Sequence, residues 1–315
     1  MKNLSSYLDT QYRLSSRAHS LKTFGEDVFV KRDDELGFGI TGSKLRKFAS
    51  LLPVLRQKAK ELIVIGGAQS HNVCALSQLL LEEGIPFQLY LCEARQQAAR
   101  GVGLIIRLLG KDRIRWISRQ DWPKVECLAQ EEAARRKSCL VIPEGSVCKE
   151  SLPGALTLVQ DFLKNEKELG KTFSSVLVDA GTGFSAAALA LGLASLKHPA
   201  EVHVLCMAPG FEEMKERCSQ YWNELFHEEA PKIEPICHRP NTAASFGAIN
   251  STVMKELARM IQEEGILTDP IYSTKLFLSA KSLLLPRPSL LIHSGGGLSL
   301  LGVQDRLISF LPPPQ

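Results

Sequence analysis

The chain has no C-x-x-C pair, no apolar run long enough to cross a bilayer and no strong excess of either charge. Its cysteines, Cys74, Cys92, Cys127, Cys139, Cys148, Cys206, Cys218 and Cys237, stand singly. That spacing argues against a zinc or redox site, so no metal is expected. Most sit among apolar residues, as in Leu205-Cys206-Met207, where a free thiol behaves as a small hydrophobe. A reducing compartment without disulfides is expected. A net charge of +4 over 315 residues gives no concentrated basic face, so nucleic acid is not an expected partner. The longest apolar run, Phe184 to Leu196, falls short of the roughly 20 residues a spanning helix needs. Met1 to Phe24 lacks the apolar core of a signal peptide. A cytoplasmic location and no membrane partner are expected. There is no internal repeat, and no low-complexity tract beyond Pro312-Pro313-Pro314.

What is there is ordinary globular composition, 44% hydrophobic and 23% charged, enough for a large core in one or two domains. From about Glu61, short apolar strands alternate with longer amphipathic stretches. Leu62 to Ile65, Gln88 to Leu91, Arg113 to Ile117, Leu140 to Pro143, Val176 to Val178, Val202 to Leu205 and Leu290 to Ile292 read as strands. Helices are predicted from Ser70, around Gly101 to Leu109 and over Glu126 to Arg136. Val253, Met254, Leu257, Met260 and Ile261 share one helical face. Such alternation predicts parallel sheets covered by helices, with ligands beyond the carboxyl ends of the strands.

Four stretches stand out. Ile65-Gly66-Gly67-Ala68-Gln69-Ser70-His71-Asn72 turns from strand to helix and places Ser70 at a helix start. There it is either a simple N-cap or part of an anion site. Asp179-Ala180-Gly181-Thr182-Gly183-Phe184-Ser185 opens a helix of small residues, and its N–H groups and hydroxyls suit a phosphate. It is neither a Walker A loop nor a G-x-G-x-x-G fingerprint. Ile292-His293-Ser294-Gly295-Gly296-Gly297 allows close backbone approach; His293 is either catalytic or a structural strand-end residue. Finally, Val28 to Asp34 reads as a strand ending in charge, and a loop then leads to Gly42-Ser43-Lys44. A helix N-terminus disfavours the ammonium of Lys44, and burial lowers its pKa further. A neutral amine is what a Schiff-base lysine needs. The alternative is an exposed lysine in a basic run with Arg46 and Lys47.

In this order the stretches resemble the aminocyclopropane-carboxylate deaminase and D-cysteine desulfhydrase family of tryptophan-synthase-β-like pyridoxal-phosphate enzymes. The residues that carry the likeness are Lys31 to Asp34, Gly42 to Lys47, Gly67 to Asn72, Pro143-Glu144-Gly145-Ser146, Gly181 to Ser185, Asp269-Pro270-Ile271-Tyr272 and His293 to Gly296. The resemblance implies an α/β fold of type II, two domains with open, mostly parallel sheets flanked by helices. Residues 1–48 plus 161–315 would form the larger, cofactor-binding domain, and 49–160 the smaller inserted one. It also implies a homodimer and a small amino-acid substrate.

Residue by residue, it implies that Lys44 carries pyridoxal 5'-phosphate. Ser70, with His71 and Asn72, would meet the substrate, and Ser70 and Tyr272 would join Lys44 in catalysis. Gly181, Thr182, Gly183, Phe184 and Ser185 would cradle the phosphate. Ser294 would face the pyridine nitrogen and leave it largely unprotonated. Four positions in three places depart from the family. Ser43 replaces Asn, His71-Asn72 replaces Asn followed by His or Gln, and Phe246 replaces a tyrosine. Either Asn72 or His71 must then support the cofactor O3′. The implied activity is α,β-elimination of a small D-amino acid such as D-cysteine to pyruvate, ammonia and sulfide. Aminocyclopropane-carboxylate deamination, D-serine dehydration or racemisation, and cofactor binding without catalysis are the alternatives.

Overall fold

The computed structural model describes residues 3–37, 42–93 and 100–311. The Pro312-Pro313-Pro314 tail and part of the loop before Gly42 lie outside them. The described strands are β1 (Ala18–Ser20), β2 (Val28–Lys31), β3 (Glu61–Gly67), β4 (Phe87–Cys92), β5 (Ile114–Ile117), β6 (Cys139–Ile142), β7 (Ser175–Ala180), β8 (Glu201–Cys206), β9 (Ile236–His238) and β10 (Ser289–Ile292). They form a six-stranded sheet, β1-β2-β10-β7-β8-β9, and a four-stranded sheet, β5-β4-β3-β6. Among the described pairings only β1 with β2 is antiparallel. The predicted α/β class of mostly parallel sheets is the observed one. β1 and β9 go unread in the sequence because three residues are too few to show a period of two.

Both faces of each sheet are covered, which is why the strands read as apolar runs rather than as alternations. In β7, Val176 and Val178 enter one core with α5 (Leu152–Leu169) and α6 (Phe184–Ser195). Leu177 enters the opposite core with Leu276 and Phe277 of α9 (Ser273–Ala280). In β3, Leu62 and Val64 pack with α1 (Lys44–Lys58) and α2 (His71–Glu82), while Ile63 and Ile65 face α4 (Val125–Ala134). Among the described residues no helix is long and apolar enough to cross a membrane.

α1 and α5 meet almost backbone to backbone. A Cβ on Gly154 would stand 2.0 Å from the carbonyl oxygen of Arg46, so only glycine fits there. A buried ionic network locks the same joint. Arg46 donates from Nε and Nη2 to the two oxygens of Asp33, each at 2.7 Å, and from Nη2 to Asp161 at 2.7 Å. Lys31 donates to Asp161 at 2.7 Å and to Asn165 at 2.5 Å. The charge that ends β2 is therefore interior, and its partners fix α1 relative to β2 and α5. That sets where the first residue of α1, Lys44, must stand.

Candidate active site

The N-terminus of α1 touches both sheets. Ser43 N–H donates to the Ser294 carbonyl beyond β10 at 3.0 Å. A Cβ on Gly42 would stand 2.6 Å from that same oxygen. Lys47 Nζ donates to the Gly145 carbonyl beyond β6 at 2.6 Å. Gly145 in turn lies against Thr182, whose Cγ2 would stand 2.6 Å from any Cβ placed there. The carboxyl ends of β3, β6, β7 and β10 thus converge on α1.

The basic run is not a solvated face. Lys44 is half-buried, and Arg46 and Lys47 are buried. Burial holds the Lys44 amine below the ordinary lysine range, and the carboxylates of Asp179 and Asp269 offset this only in part. Burial and the nearby Lys44 push Lys47 down to about 7. Lys47 also donates to Asn72 Oδ1 at 2.9 Å, and Asn72 Nδ2 donates to Ser146 Oγ at 2.8 Å. Asn72 therefore faces Lys47.

The first turn of α2 presents other residues to Lys44. Ser70 is the N-cap, its Oγ accepting from Val73 N–H at 3.3 Å. Burial, then the charge of Lys44, push His71 down to about 4, so its imidazole is neutral near pH 7. Its Nε2 lies 2.7 Å from Ser299 Oγ. Burial pushes the Cys74 thiol up to about 12, which keeps it protonated.

α6 begins without a side-chain cap. Gly183 takes a φ of +88°, and a Cβ there would meet the Phe211 ring at 2.6 Å. The Phe184 side chain is buried in the core, so only its N–H is free to serve a ligand. An apolar helix whose first N–H groups lack caps, next to the Thr182 and Ser185 hydroxyls and within reach of buried Lys47, fits a phosphate.

On the other side, Ser294 Oγ donates to Asp179 Oδ1 at 2.9 Å. Burial, then Asp269, push Asp179 up to about 6. Asp269 accepts from the N–H groups of Ile271 and Tyr272 through Oδ1 and from Ser273 through Oδ2, and so orients Tyr272. The Tyr272 ring lies 3.2 Å from where a Gly181 Cβ would be. Burial, then Asp269 and Asp179, raise the Tyr272 phenol well above its ordinary value. His293 is fully buried, with Nε2 3.1 Å from the Leu267 carbonyl oxygen, and its place is structural.

Sequence reasoning gave no site role to Lys47, Asp179 or Asp269, although each stands in a stretch it singled out. The signal for Asp179 was an acid near the end of an otherwise apolar strand, Val176-Leu177-Val178-Asp179. Its folded pKa of about 6 exceeds the ordinary 3.8, so proton uptake at this group stabilises the fold. That contribution is complete below pH ~4 and is lost as pH rises through ~6. In the cofactor-free protein, Asp179→Asn is therefore expected to raise the melting temperature at pH 7.5. The gain should vanish below pH ~4 in thermal scans across the range; an equal gain at every pH would refute this.

No family profile matches the chain. Among curated proteins, a provisionally named 1-aminocyclopropane-1-carboxylate deaminase of Pyrococcus furiosus is 26% identical over 303 residues, covering 92% of this chain and 91% of that protein. The D-cysteine desulfhydrase of Klebsiella pneumoniae is 26% identical over 301 residues, covering 90% of each. Among solved structures, an ACC deaminase homologue superposes with a TM-score of 0.84 at 23% identity over 96% of both chains. A pyridoxal 5'-phosphate-dependent aspartate racemase superposes with a TM-score of 0.59 at 12% identity over 89% of this chain and 90% of that one.

Proposed function

We propose that the chain, 26% identical over about nine-tenths of its length to a provisionally named 1-aminocyclopropane-1-carboxylate deaminase and to a D-cysteine desulfhydrase, is a pyridoxal 5'-phosphate-dependent lyase of that family. Its substrate is a small D-amino acid such as D-cysteine, split by α,β-elimination to pyruvate, ammonia and sulfide. The observation that carries this reading is the Lys44 amine, whose basicity burial lowers at the start of α1, in one cluster with an uncapped α6 N-terminus.

Lys44 would hold the cofactor. The backbone of Gly181, Thr182, Gly183, Phe184 and Ser185, two hydroxyls and Lys47 would hold its phosphate. The bound cofactor supplies a conjugated ring that takes up the electron pair left at the substrate α-carbon. Lys44 is the base for the α-proton, since its amine loses a proton more readily than an exposed lysine. Tyr272 keeps its proton and can donate it to the leaving sulfur. Ser70 and the N–H groups that open α2 receive the substrate carboxylate. The Asn72 amide is engaged by Lys47 and Ser146, so neutral His71, which among the described residues meets Ser299 through Nε2 alone, would be the one to support the cofactor hydroxyl. Ser294 spends its proton on Asp179 and offers only lone pairs elsewhere. A ring nitrogen facing it would be met by an acceptor. On this reading the nitrogen would carry a proton, unlike the unprotonated nitrogen expected from a hydroxyl alone.

We place the larger unit at 1–48 with 161–315 and the smaller at 49–160, joined where α1 packs on α5. A cytoplasmic homodimer belongs to the same proposal. Pyruvate release from the D and L forms of cysteine and serine, and from aminocyclopropane-carboxylate, tests the reading. Protein that stays colourless with added cofactor would sink it.

Ser70→Ala should lose one charge-assisted hydrogen bond, about 1.5–3 kcal/mol, read as a KM raised roughly 10- to 100-fold. The lost cap costs about 1 kcal/mol of stability in urea unfolding. An unchanged KM would leave Ser70 as an N-cap only.

A further inference from the structure

Segment 241–250 lies between β9 and α8 (Ser251–Arg259) and carries Phe246. The Phe246 ring is 60% exposed, an unusual state for so large an apolar group. Among the described residues its one ring neighbour is Tyr272, edge-on with centroids 6.0 Å apart. Tyr272 in turn lies against Gly181 at the phosphate cradle. The exposed ring therefore stands at the rim of the candidate active site.

It is also held. Lys275, only 2% exposed, sits on α9 three residues beyond Tyr272. Its ammonium donates to the Ala243 carbonyl at 2.7 Å. Ala243 has a φ of +49°, a left-handed conformation that a side chain disfavours and that needs support. Asn250 Nδ2 donates to Thr242 Oγ1 at 2.6 Å, while Asn250 Oδ1 caps α8 by accepting from Val253 N–H at 3.0 Å. Asn241 Nδ2 donates to Ser282 Oγ at 3.2 Å. The segment is thus tied to α9 through Lys275, to the turn after α9 through Ser282, and to α8 through Asn250. A fixed apolar surface meets a ligand without an ordering cost.

We propose that Phe246 is the apolar wall of the substrate side-chain site, that Lys275 is the positioning residue that holds it there, and that the preferred substrates are β-substituted alanines with an apolar substituent, such as S-alkyl- or S-arylcysteines. The reaction rests on the elimination proposed above. RS–CH2–CH(NH3+)–COO− and water give RSH, pyruvate and ammonium: the C–S bond breaks, the sulfur takes the electron pair and a proton, and water replaces nitrogen at the α-carbon. The apolar wall favours a leaving group that buries its surface against the ring over a bare thiol or hydroxyl.

The test uses the cofactor-loaded enzyme with S-benzylcysteine and cysteine of the same configuration, each in D and L form. The wild type should release pyruvate from S-benzylcysteine with a kcat/KM about 3- to 10-fold above that for cysteine. Phe246→Ala, at an exposed position that leaves the core intact, should abolish the preference. Lys275→Met should do the same, chiefly through KM, and Lys275→Arg should restore it. Equal use of the two substrates by the wild type, or a preference that survives Phe246→Ala, overturns the proposal. If neither substrate yields pyruvate, the elimination reading fails and calorimetric binding decides. Tighter binding of phenylalanine than of alanine by the wild type, lost in Phe246→Ala, upholds the wall. Equal binding overturns it.

Discussion

Lys44→Ala is expected to yield a folded protein that no longer acquires the visible absorbance of a lysine-bound cofactor and that turns over at least about 10²- to 10⁴-fold more slowly. The variant removes the proposed covalent anchor and the proposed base together. Folding should survive, because shortening a lysine whose ammonium is desolvated removes a burial cost. The checks are the absorption spectrum after gel filtration with cofactor, borohydride trapping of the wild type followed by mass analysis of the modified peptide, and pyruvate release. Unchanged absorbance in Lys44→Ala would move the anchor elsewhere, and Lys47 would be the next candidate. Lys47 is buried with a pKa of about 7 and already donates to Asn72 and Gly145. Lys47→Ala should therefore keep the covalent linkage while weakening cofactor retention, which separates the two lysines.

Arg46→Ala should cost about 3–5 kcal/mol, a large share of the stability of a domain this size. The reason is the charge left behind. Asp33 is fully buried and Asp161 nearly so, and Arg46 bonds both. Burial alone would raise the Asp33 carboxyl, but Arg46, Lys31 and Ser16 together outweigh it and hold the carboxyl below the ordinary range, Arg46 contributing most. The same holds for Asp161, with Lys31 the larger partner. Carboxyls with lowered folded pKa values contribute stability above pH ~4 and lose it as pH falls through their folded values. The gap between wild type and Arg46→Ala should therefore be widest near neutrality and close in acid. Urea unfolding should show a lower midpoint with an unchanged slope. A midpoint within error of the wild type would mean that Lys31 alone satisfies both acids. Because Arg46 lies two residues from Lys44 and bonds at once to Asp33, just beyond β2, and to Asp161 of α5, the variant should also loosen cofactor retention.

Much of the fold was legible in the sequence, for a simple reason. Strands buried on both faces are continuous apolar runs, and glycine clusters mark where β3, β7 and β10 end. Leu62 to Ile65 and Val176 to Val178 needed no tertiary knowledge, nor did the glycine turns after them. The hidden parts were those whose meaning depends on distant partners. A lysine, arginine or aspartate in a sequence reads as solvated, because most are. Lys31 and Asp33, Arg46, and Asp161 come from three separate stretches, and only their meeting between α1 and α5 makes each one's burial tolerable.

The sequence by itself determined the alternating α/β order, the glycine-rich junctions and the singular position of Lys44 after Gly42-Ser43. These follow from local rules of side-chain period and backbone freedom. The tertiary structure alone decided that Lys47 is interior, that Asn72 is engaged by Lys47 and Ser146, that Ser294 donates a hydrogen bond to Asp179, and that Phe246 is held exposed beside Tyr272. Each of these is a contact between residues far apart in the chain. Burial and electrostatics act through space, so no reading along one dimension could have set their sign.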